Sequence, residues 1–128
     1  MKVSFIEALI PSIEVKLFTS KKKYKKALEK NGEVYSDLNS DAQCTPVELK
    51  DGSIVYFVVI IDQKQYKYEE CLALLAHEAV HISQFYFKSI GEYEPAIEEQ
   101  AYVIQSICQC LFIEYIKFIN KKIKNKEE

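Results

Sequence analysis

Arginine is missing altogether: all 17 basic residues of this 128-residue chain are lysine. Without the planar guanidinium fork there is no bidentate partner for phosphate or for guanine, which argues against sequence-specific reading of DNA. A net charge of −2 adds no general attraction to nucleic acid or to an anionic membrane. No stretch reaches the roughly 18 consecutive apolar residues that a bilayer span needs. The apolar patch within residues 1–11 is short and carries Glu7, unlike the uncharged core of a secretory signal. The expectation is a cytoplasmic protein with neither nucleic acid nor membrane as a partner. Cysteine is sparse, at 44, 71, 108 and 110, with no C-x-x-C pair. Such isolated cysteines in apolar segments read as small core residues rather than as a disulfide framework. Repeats and low-complexity segments are also missing. What remains, 48% apolar and 28% charged, is the composition of one globular domain over residues 1–128.

Along the chain, Ile13, Val15 and Leu17 alternate with Glu14 and Lys16, the period-2 mark of a half-buried strand. Ser20 is placed to cap a short helix with Tyr24, Ala27 and Leu28 on its apolar side and Asn31-Gly32 as its stop. The lysines at 21, 22, 23, 25 and 26 read as the solvated face of that helix. Residues 33–45 are polar and turn-rich, with Asn39-Ser40-Asp41 as the clearest loop. A short strand is expected over 47–50, then a two-residue hairpin turn at Asp51-Gly52. Residues 54–61 are apolar, β-branched and aromatic, as in a central strand covered on both faces. A helix follows from near 66–69, apolar almost all round through 71–87 and therefore expected to be buried on every side. Gly91 suits its termination and Pro95 the first turn of another helix. Ile97, Ala101, Ile104, Cys108 and Leu111 supply that last helix with an apolar stripe, and the lysine-rich tail from Asn120 is expected to fray.

The chemistry is concentrated in His77-Glu78-Ala79-Val80-His81, an H-E-x-x-H motif. Residues four apart share a helix face, so the two imidazoles can reach one metal ion. Glu78 lies beside that ion, where it can take a proton from a water held there and pass it on. The chain's two histidines are both in the motif. Random placement would set them four apart with glutamate second only about once in 550 chains. Coincidence would leave instead two core histidines with ordinary hydrogen-bond partners.

A catalytic zinc site takes three protein ligands and keeps one position open. The extension H-E-x-x-H-x-x-G-x-x-H is excluded, because Gln84 and Phe87 stand where it needs glycine and histidine. The third ligand is then a carboxylate or, less favoured, a cysteine, with Glu98 and Glu99 early in the next helix as the obvious pair.

These residues resemble the zincin metallopeptidases of the glutamate-ligand type. More narrowly, Leu74-Leu75-Ala76-His77-Glu78-Ala79-Val80-His81 with Gln84, then Gly91-Glu92, Pro95 and Glu98-x-x-Ala101-Tyr102-x-x-Gln105, resemble small phage and prophage proteins regarded as metallopeptidases. The resemblance spans residues 54–112. It implies Glu98 as the third ligand, with Glu99 next to it in rank, and Zn2+ as the cofactor. It also implies an α+β fold of minimal zincin type: a small antiparallel sheet against a buried H-E-x-x-H helix and a long C-terminal helix. Tyr93 and Tyr102 are candidates for stabilising an oxyanion. The expected function is a zinc-dependent metallopeptidase acting on a peptide or protein, with His77, His81 and Glu98 on the metal and Glu78 as general base. The alternative is a non-catalytic zinc-containing interaction protein, such as a phage factor engaging a host component.

Overall fold

The computed structural model describes residues 2–3, 13–35, 41–61 and 63–127. The expectations for the N-terminal segment, for Asn39 and Ser40 and for Asp62 lie outside the described residues, apart from Lys2 and Val3. Elements follow the order β1 (Lys2–Val3), β2 (Ile13–Phe18), α1 (Lys21–Lys30), β3 (Ala42–Glu48), β4 (Ile54–Ile60), a single 3-10 turn (Gln63–Gln65), α2 (Tyr68–Ser89) and α3 (Ile97–Glu127).

The class is α+β, in three layers. The four strands are ordered β1-β2-β4-β3, which leaves β3 at an edge and β4 in the interior. Period-2 alternation assigns each residue of β4 to a face. Tyr56, Val58 and Ile60 meet Ile13 and Val15 of β2 and the inward residues of α2 and α3. Val55, Phe57 and Val59 meet Phe18, Val47 and the α1 residues Tyr24 and Leu28. The central strand is therefore covered on both faces, as its composition requires. The sheet is mixed rather than antiparallel: β2 runs parallel to β4, with Val15 opposite Tyr56, while β3 pairs antiparallel with β4. The reason is topological. β2 leads into α1 on one face, the chain returns as β3, and β4 then inserts between them, antiparallel to the strand it turns from.

Local chemistry accounts for the element ends. Ser20 Oγ accepts from Lys23 N at 3.3 Å and caps α1. The lysines of α1 at 21, 22, 23, 25 and 26 are exposed, as a solvated face demands. β3 begins at Ala42, inside the stretch expected as loop, because an edge strand tolerates Pro46 where an interior strand would not. The hairpin loop is longer than two residues. Leu49 N donates to Ser53 O, Gly52 N to Leu49 O, and Gly52 takes φ +87°, the geometry of a three-residue loop with a bulge glycine. At the end of α2, Gly91 N bonds Lys88 O and Glu92 N bonds Phe87 O, a Schellman closure with Gly91 at φ +75°. Ala96 O accepts the first bond of α3 from Gln100 N, so Pro95 precedes the helix instead of opening it.

Three helix expectations change. α2 is not buried on every side: Cys71, Leu75, Glu78, Ala79, Ile82, Ser83, Tyr86 and Phe87 face inward, while His77, Val80, His81, Gln84 and Phe85 are exposed. The inward stripe of α3 is Val103, Ile107, Cys110, Leu111 and Tyr115, whereas Ile97 is 83% exposed. A helix with apolar residues on several sides satisfies helical spacing in more than one register, and contacts with α2 and β2 decide which one is used. α3 also stays helical to Glu127, through the lysine-rich tail. By length and composition alone, Ile97–Lys126 is apolar enough to cross a membrane, a property that core helices of soluble proteins share.

Candidate metal centre

The inward periodicity of α2 sets Glu78 against the sheet and turns His77 and His81 outward along the same helix. The two imidazole Nε2 atoms lie 3.2 Å apart, with the rings 71° to each other. Two nitrogens at about 2.0–2.1 Å from a tetrahedral zinc stand about 3.3 Å apart, so the pair has the spacing of two ligands of one ion. His81 Nδ1 is 3.1 Å from Gln84 Oε1. The tautomer with its proton on Nδ1 donates to that amide oxygen and leaves the Nε2 lone pair free, the arrangement that orients metal-binding histidines. Both histidines are exposed, so burial itself does not demand a metal partner for them, contrary to what an all-buried helix would have implied.

The pair opens onto a cleft of about 540 Å³ between α2 and the edge strand, lined by β3 residues 42–44 with Asp41, and by Leu74, His77, Glu78, His81 and Phe85. Glu78, at 6% exposure, is the one charged side chain in the described core. Burial pushes the Cys44 thiol, which lines the same cleft, well above the ordinary thiol range, with the Glu78 charge adding to the shift. Asp41 accepts a hydrogen bond from the Tyr66 hydroxyl. All four cysteines are free thiols.

Glu98 and Glu99 are placed elsewhere. α2 runs eight residues, about 12 Å, beyond His81 before the Schellman turn reverses the chain, so the first turn of α3 packs beside the last turn of α2. Glu98 is exposed there, and Glu99 is half-buried near Tyr86. The Tyr86 hydroxyl is raised first by burial and then by the Glu99 charge. Among the described residues no three His, Cys, Asp or Glu side chains gather closely enough to share an ion. The structure thus brings His77 and His81 together with Glu78 beside them and does not bring Glu98 to the pair. Tyr93, 77% exposed, and Tyr102 both lie outside the cleft lining.

The sequence reads Cys44 as a small core residue and gives Asp41 and Gln84 no part in the chemistry. Gln84 was findable, being three residues after His81 on the same helix face. Cys44 was not, because Pro46 and the polar neighbours masked the strand that delivers it. No protein-family model matches the chain, and no curated protein or solved structure does either.

Proposed function

We propose that the protein is a zinc-dependent hydrolase, most simply a metallopeptidase acting in the cytoplasm on a peptide or protein, with neither nucleic acid nor membrane as a partner. The observation that carries this reading is the convergence of His77 Nε2 and His81 Nε2 at 3.2 Å, with Gln84 holding the His81 ring. Imidazole nitrogens suit zinc, and the two-ligand geometry fits it. When bound, zinc supplies a Lewis acid and lowers the pKa of its water to about 7. Glu78 is the general base: its carboxylate, in the cleft beside the pair, takes the proton of the attacking water and returns it to the leaving amine. Glu98 is the proposed third ligand on the sequence pattern alone.

The cleft supports a peptide as substrate. Among the described residues β3 is an edge strand, the position at which an extended chain would add alongside the cleft. That chain would pass the histidine pair and Glu78 with its carbonyls within reach.

Elemental analysis of protein purified without a histidine tag, combined with cleavage of fluorescein-labelled casein, tests the reading. Near one zinc per chain, lost in His77→Ala and retained in an inactive Glu78→Gln, is the expected result. Zinc retained and function intact in Glu78→Gln would favour the interaction protein instead, and an inability to take up zinc would end both.

A further inference from the structure

The lysines of α1 divide between two flanks of the helix. Lys21 and Lys25 lie over the Tyr35 ring, their ammonium groups 5.9 and 5.5 Å from its centroid. Lys23, Lys26 and Lys30, three and four residues apart, share the other flank, beside β2. There they line a groove of about 910 Å³ together with Lys16, whose ammonium lies 5.3 Å from the centre of the Phe18 ring. All four lysines are exposed. Glu29 is the acidic residue of the lining, and Leu17, Phe18 and Ala27 supply its apolar part. A chain of net charge −2 thus presents a concave surface with lysine in excess over glutamate. α1 covers the sheet face opposite α2, so this groove is separate from the histidine cleft.

We propose that the groove binds an acidic peptide segment of a partner protein, one that carries apolar side chains between its carboxylates. Charge complementarity sets the sign of the partner. Geometry narrows it further. Lys23 to Lys30 extends about 10 Å along the helix, with Lys16 across the groove on β2. A single phosphate needs donors that converge on one point, whereas these charges follow a line. Lysine ammonium groups are compact point charges, and carboxylates spaced along an extended chain meet them one at a time. The apolar lining between them rewards burial of an apolar side chain, which a phosphate chain lacks. Neither zinc nor catalysis enters this proposal.

Fluorescence anisotropy at low salt tests it with fluorescein-labelled, glutamate-rich peptides of equal length and charge that carry leucine or serine at every third position. The leucine peptide is expected to bind several-fold more tightly than the serine one, and both to weaken as salt screens the charges. Lys23→Glu combined with Lys30→Glu is expected to weaken binding at least about 10-fold. Lys16→Glu, on the strand side of the groove, weakens it as well and gives the same reading without altering α1. Lys21→Glu combined with Lys25→Glu makes an equal change in net charge on the other flank and is expected to have much less effect. Circular dichroism verifies that each variant is folded. Equal losses in the two double variants overturn the proposal, since net charge alone would then set the affinity. Equal binding of the two peptides, or none, overturns it too. Inorganic polyphosphate or labelled oligothymidine binding more tightly than the leucine peptide overturns it in favour of a phosphate chain.

Discussion

The His81 ring is steered by Gln84, whose Oε1 lies 3.1 Å from His81 Nδ1 on the same helix. This relationship decides which nitrogen faces His77. Gln84→Ala leaves Nδ1 to water and frees the ring to rotate or change tautomer. Zinc affinity measured by competition with a chromophoric chelator is expected to fall about 10-fold, the lower end of what such outer partners contribute. An unchanged affinity would mean that the helix alone orients the ring.

Glu98 offers a sharper division between pattern and structure. If it joins the metal as the sequence pattern implies, Glu98→Ala weakens zinc binding as strongly as His77→Ala does. The placement of Glu98 beside the far end of α2 favours a smaller effect, with Asp41→Ala, at the cleft the histidines line, the more damaging change. Isothermal titration of the variants with zinc separates these outcomes, and a loss confined to Glu98→Ala would show that the start of α3 rearranges to complete the site.

Alkaline conditions should destabilise the fold. Burial raises the Cys44, Cys108 and Cys110 thiols and the Tyr24, Tyr56 and Tyr115 hydroxyls. Each folded pKa exceeds its unfolded value, so the folded chain holds these protons more tightly. That stability is complete below the unfolded values, about 8.5 for thiols and about 10 for phenols, and is lost as pH rises through the folded ones. Thermal melts from pH 7 to 11 should show a midpoint that declines above about pH 9. A midpoint that rises over that range contradicts the burial of these groups.

Leu75 is fully buried where α2 crosses the core between Cys71 and Ala79. Leu75→Ala removes contacts on the inward face and leaves a cavity, at a cost of about 2–5 kcal/mol. Urea unfolding measures it, and a loss below about 1 kcal/mol would show that the helix does not pack on this face. The outward Val80→Ala, on the exposed side of the same helix, is expected to cost far less.

Local rules written in the sequence determined a good part of this protein. Alternation placed β2, an unbroken apolar and β-branched run placed β4, Ser20 and Asn31-Gly32 bounded α1, and Gly91 ended α2, because caps, glycine conformations and side-chain patterns act over a few residues. The spacing of His77 and His81 determined their meeting for the same reason: one helical turn fixes it wherever the helix lies. Tertiary structure decided what depends on distant segments. It made the sheet mixed by inserting β4 beside β2, turned one side of an apolar helix to solvent, and brought Cys44 from an edge strand into the cleft that Glu78 lines. It also set Glu98 past the end of α2, since helix length and the Schellman turn determine where α3 begins. Period and spacing say which residues share a face; only the packing of one element on another determines what that face meets.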